Sequence, residues 1–81
     1  MKTTINVLIN AGSQGTHNFY KTFNELLPIP KEIASPAGTV PVINSIFNAD
    51  AKTLIIQVIV KINESQLSQI KSSFNNLGWE K

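Results

Sequence analysis

Gly12-Ser13-Gln14-Gly15-Thr16-His17 is the stretch of this 81-residue chain whose residue types come closest to chemistry. Two glycines let backbone N–H groups approach a ligand, two hydroxyls add donors, and the chain's single histidine gains positive charge below about pH 6.5. A loop of this kind opening a helix is suited to cradling a phosphate or a carboxylate. Gly12, Ser13, Gly15, Thr16 and His17 are therefore the candidate ligand-binding residues. The Gly-Lys-Ser/Thr ending of a P-loop is missing, and so is the glycine spacing of a dinucleotide fold. The same residues also spell an ordinary tight turn followed by an N-cap.

Other chemistries find less support. The absence of cysteine rules out a disulfide framework, a thiolate metal site and a cysteine nucleophile. A metal site on His17 would need several carboxylates, yet Glu25, Glu32, Asp50, Glu64 and Glu80 are scattered without ligand spacing. Ser13 lies near His17, but no Gly-x-Ser-x-Gly elbow surrounds it and no acid is placed to orient the ring. The expectation is a protein that is not an enzyme, with no catalytic residue, metal or cofactor. Its seven lysines fall roughly every ten residues and no arginine joins them, a pattern that argues against a dedicated nucleic-acid partner. Ile, Asn and Lys make up 27 of the 81 residues, and all three have AT-rich codons, so the asparagines are not read as a site.

Elements must position whatever these residues do. Thr3 to Asn10 alternates, with Ile5, Val7 and Ile9 on one side, as in a half-buried strand. From His17 to Leu27 the spacing of Phe19, Phe23, Leu26 and Leu27 predicts a helix, ended by Pro28-Ile29-Pro30. Pro28 to Pro41, with four prolines, reads as an extended connector. Val40 to Asn48 and Thr53 to Ile62 read as a hairpin turning at Ala49-Asp50-Ala51-Lys52. The second of these strands is apolar on both faces except at Gln57 and Lys61, as suits a central position. A last helix starts at Asn63, with Glu64 in its first turn and Gln66 placed for a capping box. It carries Leu67, Ile70, Phe74 and Leu77 as its stripe and ends on Gly78 with Trp79 folding back.

The expected architecture is a single α+β domain over residues 1–81, a two-layer sandwich of order β-α-β-β-α. It is ferredoxin-like, a split β-α-β unit whose final strand is missing or reduced to Trp79-Glu80-Lys81. Thr53 to Trp79 resembles the closing strand, helix and Leu-Gly-aromatic ending of ferredoxin-like modules such as the heavy-metal-associated and ACT domains. The resemblance is architectural and covers about a third of the chain. Heavy-metal-associated domains carry a Cys pair after the first strand, where this chain has Gly12 to His17, so copper carriage does not follow. The ACT likeness implies a sensor holding an anionic metabolite at that loop.

In that architecture Leu8, Ile55 and Ile59 project away from both helices, and a chain this short has little left to cover them. Contiguous exposed apolar surface marks an interface. The reading is a small interaction or regulatory module, homodimeric through the open sheet face or bound to another protein. The alternatives are the ACT-like sensor and a phage-type accessory inhibitor. The first residues, Met1 to Val7, lack the apolar core of about 7 to 15 residues that a signal peptide needs. The longest apolar run, Leu54 to Val60, is far short of the ~20 residues that span a bilayer. A cytoplasmic location without membrane contact is therefore expected.

Overall fold

A computed structural model describes all 81 residues. Six strands and one α-helix follow in order: β1 (Lys2–Asn10), β2 (Thr16–Phe23), β3 (Glu32–Ser35), β4 (Gly38–Pro41), β5 (Asn44–Asn48), β6 (Thr53–Lys61) and α1 (Leu67–Asn76). A single 3-10 turn, Glu64–Gln66, leads into α1. Four strands form a mixed sheet in the order β2-β1-β6-β5, while β3 and β4 make a separate hairpin. β1 and β6 run parallel at the centre, and each is flanked by its antiparallel hairpin partner. No helix is long and apolar enough to cross a membrane.

The alternation in β1 buries Thr3, Ile5, Val7 and Ile9 on one face, and the parallel register sets them beside Leu54, Ile56, Val58 and Val60 of β6. This face is the core. Leu67 and Phe74 of α1 cover one part of it, and Ile33 of the β3–β4 hairpin covers another. Phe19 of β2 and Phe74 stack with ring centroids 4.4 Å apart, and Trp79 meets Phe74 edge-on at 5.2 Å.

The expected β-α-β-β-α order is wrong: residues read as the first helix, His17 to Leu27, include all of strand β2 except its first residue, so the fold is not ferredoxin-like. A spacing of four residues fits the helical period, but it is also twice the strand period. Phe19 and Phe23 therefore share a face in either conformation. Thr16, Phe19, Tyr20, Thr22 and Phe23 all favour strands, and β1 offers them eight consecutive pairs, from Asn10 with Thr16 to Thr3 with Phe23. Tertiary pairing outweighed the apolar pair Leu26-Leu27, which lies beyond the strand and makes no helix.

The Pro28 to Pro41 stretch is also more regular than expected. Ser35 Oγ accepts from the Ala37 N–H (3.2 Å) and donates to the Gly38 carbonyl (3.0 Å), pinning a tight turn between β3 and β4. The passage from β2 to β5 thus crosses the core face as a hairpin beside α1. The C-terminal end of the chain does return to the sheet: Glu80 exchanges both backbone hydrogen bonds with Tyr20 (2.8 and 2.9 Å) on the outer edge of β2.

The caps of the last helix follow local sequence. Gln66 Oε1 accepts from the Asn63 N–H at 3.4 Å. At the other end the Trp79 N–H bonds to the Phe74 carbonyl (3.0 Å) and the Gly78 N–H to that of Asn75 (3.3 Å), with Gly78 at φ +82°. That pair of bonds is a Schellman motif, and the Trp79–Phe74 contact is its apolar clasp.

Candidate interaction face

Both covers, α1 and the β3–β4 hairpin, lie on the core face, so nothing in the chain covers the other face of the four-stranded sheet. Register places its residues in transverse rows. Thr22, Thr4, Ile55 and Ile46 form one, and Tyr20, Asn6, Gln57 and Asn44 the next. Asn18, Leu8 and Ile59 form a third, with Ile43 beyond the start of β5.

Of the three residues expected to point away from the helices, Leu8 and Ile59 are direct neighbours across β1 and β6. Ile55 stands four residues from Ile59 along β6, beside Ile46. Leu8 and Ile55 are half-buried by their neighbours, whereas Ile59 is 45% exposed. Between the two aliphatic rows run the polar groups, and the Asn44 amide donates to Gln57 Oε1 at 3.3 Å. The Thr4 and Thr22 hydroxyls lie 3.2 Å apart in the first row. A shallow cavity of about 240 Å³ opens among Asn6, Leu8, Asn18, Ile43, Gln57 and Ile59.

The polar row is masked in the sequence by the abundance of asparagine along the whole chain. A local signal existed: Gln57 is the one polar residue in the run Leu54 to Val60, and Asn6 occupies the middle of the β1 alternation. Their direct pairing, however, depends on the β1–β6 register, which no local pattern encodes.

The Gly12 to His17 loop closes the β1–β2 hairpin, so no α-helix begins there. A 3-10 turn, Gly12–Gln14, occupies it, and the Ala11 N–H bonds to the Gly15 carbonyl (3.0 Å). His17 Nε2 donates to the Gln14 carbonyl (3.1 Å), and Thr16 opens β2 opposite Asn10. Gly12 and Ser13 instead meet an acid from the far end of the chain. Ser13 donates its backbone N–H (2.9 Å) and its hydroxyl to Glu64 Oε1. The hydroxyl bond, and then the backbone bond, hold the Glu64 carboxyl below its ordinary pKa. A Cβ on Gly12, which sits at φ +62°, would come within 3.0 Å of Glu64 Oε1.

The structure thus brings Gly12 and Ser13 together around a carboxylate, while Gly15, Thr16 and His17 serve the hairpin. Comparison of this chain with protein-family models, with curated proteins and with solved structures gave no match.

Proposed function

We propose that this protein is a non-enzymatic interaction module that pairs with a second copy by laying the open faces of two sheets together. The supporting observation is the uncovered face itself, where Leu8, Ile55 and Ile59 sit with Ile43 and Ile46 around a row of amides. The four strands contain no carboxylate, and Lys2 and Lys61 stand at opposite ends of the two central strands. Stacking therefore buries no acid and leaves both ammonium groups at the rim. Each amide is both donor and acceptor, so the polar row can satisfy its own copy. A cytoplasmic setting belongs to the same proposal.

Size sets the expected strength. Four strands about 4.8 Å apart, over about seven residues of about 3.3 Å, give a face of roughly 450 Å² per copy. The pair buries roughly 900 Å², just under the lower limit for specific interfaces, so a weak, micromolar dimer is expected. Sedimentation equilibrium from about 1 μM to 1 mM should show a concentration-dependent mass, and Ile59→Lys should weaken that association by removing the face contact. A constant mass of 8.9 kDa over that range refutes the proposal.

One observation favours a second reading, a sensor of anionic metabolites: the Ser13 N–H and hydroxyl already hold a carboxylate. An external ligand would take the place of Glu64. Titration with phosphate, nucleotides and amino acids should then shift the amides of residues 12–18, more readily in Glu64→Gln, and silence there defeats the sensor.

A further inference from the structure

The chain treats the two edges of its sheet differently. The outer edge of β2 carries Lys21 and is bridged by Glu80. β5 forms the opposite edge, and no strand lies beyond it. Edge strands are ordinarily blunted by lysine, proline, a charge or a covering segment. Asn44-Ser45-Ile46-Phe47-Asn48 contains no charged residue and no proline. Its apolar side chains are also open on both faces of the sheet, Ile46 at 51% and Phe47 at 52% exposed, with Ile43 just before them at 55%.

We propose that β5 pairs antiparallel with β5 of a second copy, about a two-fold axis at Ile46, extending the sheet from four strands to eight. The strand is self-complementary in this register. Ile46 opposes Ile46 of the partner subunit, Ser45 opposes Phe47 of the partner subunit, and Asn44 opposes Asn48 of the partner subunit. Aliphatic meets aliphatic, amide meets amide, and no like charges face each other. The free N–H and C=O groups of the edge gain partners, and Ile46 and Phe47 gain a neighbour on each face.

This contact is separate from the stacking of open faces. Its axis is normal to the sheet, whereas a stacking axis lies in the sheet plane. Edge pairing alone gives a dimer, and the two contacts together can close a tetramer of two stacked eight-stranded sheets.

The chain has no cysteine, so single-cysteine variants report the contact directly. Paired residues in antiparallel strands have Cα atoms about 4.5 to 5.5 Å apart, within the disulfide range. Stacked sheets lie about 10 Å apart, outside it. Mild oxidation of Ile46→Cys should therefore give a covalent dimer. Asn44→Cys alone should not link, because its copies lie about 13 Å apart along the strands, whereas a mixture of Asn44→Cys with Asn48→Cys should. Adding Ile59→Lys to Ile46→Cys should leave the cross-link intact, so that failure of the face contact and failure of the edge contact are read separately. An Ile46→Cys protein that keeps its circular dichroism but stays monomeric overturns the proposal, as does Asn44→Cys linking to itself as readily.

Discussion

Thr3 ties the segment that leaves β2 to the start of β1, and its substitution tests that tether. Its side chain is completely buried on the core face. The hydroxyl donates to the Glu25 carbonyl (2.8 Å) and accepts from the Leu27 N–H (2.9 Å). These two bonds tie the segment that leaves β2 to the start of β1, on the side where the β3–β4 hairpin then crosses. Thr3→Val keeps the shape and removes both bonds. At about 1 kcal/mol each, with partners that water can partly reach, the loss is about 1 to 2 kcal/mol. Burial of an extra methyl offsets about 0.8 kcal/mol at most, leaving a net cost near 1 kcal/mol. Thr3→Ser keeps the bonds and removes a buried methyl, at a cost of about 1 kcal/mol. Urea unfolding will therefore place both variants about equally below the parent, with Tm lowered by about 4 to 8 °C. Amide exchange separates them: the Leu27 N–H should lose its protection in Thr3→Val and keep it in Thr3→Ser. Equal protection of Leu27 in both variants would refute the tether.

Further outcomes follow from the same contacts. The Glu64 carboxyl titrates below its ordinary value, so its tie to Ser13 is complete above the usual carboxylate range and is lost as pH falls through the lowered value. A carboxyl-carbon NMR titration should show this, and Ser13→Ala, which keeps the backbone bond, should raise the Glu64 midpoint part of the way to the ordinary range; an unchanged midpoint contradicts the assignment. Gly12→Ala sets a methyl against Glu64 Oε1 at a positive φ, and should cost about 1 kcal/mol in urea while moving the Ser13 amide resonance. Trp79→Ala removes the edge contact to Phe74 and the ring near which Lys21 Nζ lies, 5.8 Å from its centre. It should cost about 2 kcal/mol in urea and release the exchange protection of the Tyr20 and Glu80 amides.

Both ends of the last helix could be read directly from residues 63 to 79. Asn63, Gln66, Gly78 and Trp79 act within one turn of where they stand, since a helix finds its hydrogen-bond partners about four residues away. β1, β6 and the β5–β6 turn were legible for a similar reason: strict alternation, or an apolar run between turn residues, leaves little choice of face. β2 was not legible, because Phe19 and Phe23 satisfy two periods at once and its partner is β1, outside any local window. The loop at Gly12 to His17 changed its meaning with it, from the start of a helix to the bend of a hairpin, and its carboxylate came from Glu64, 51 residues on.

The sequence alone therefore determined which side chains of β1 and β6 must be buried and that some apolar ones would be left over. Only the tertiary structure decided which of these meet. The parallel β1–β6 register set Leu8 beside Ile59 and aligned Asn6 with Gln57, and the crossover runs over the core face, where Thr3 holds its first residues. A strand's partners and a crossover's side depend on residues far apart in the chain, and local spacing carries no record of either.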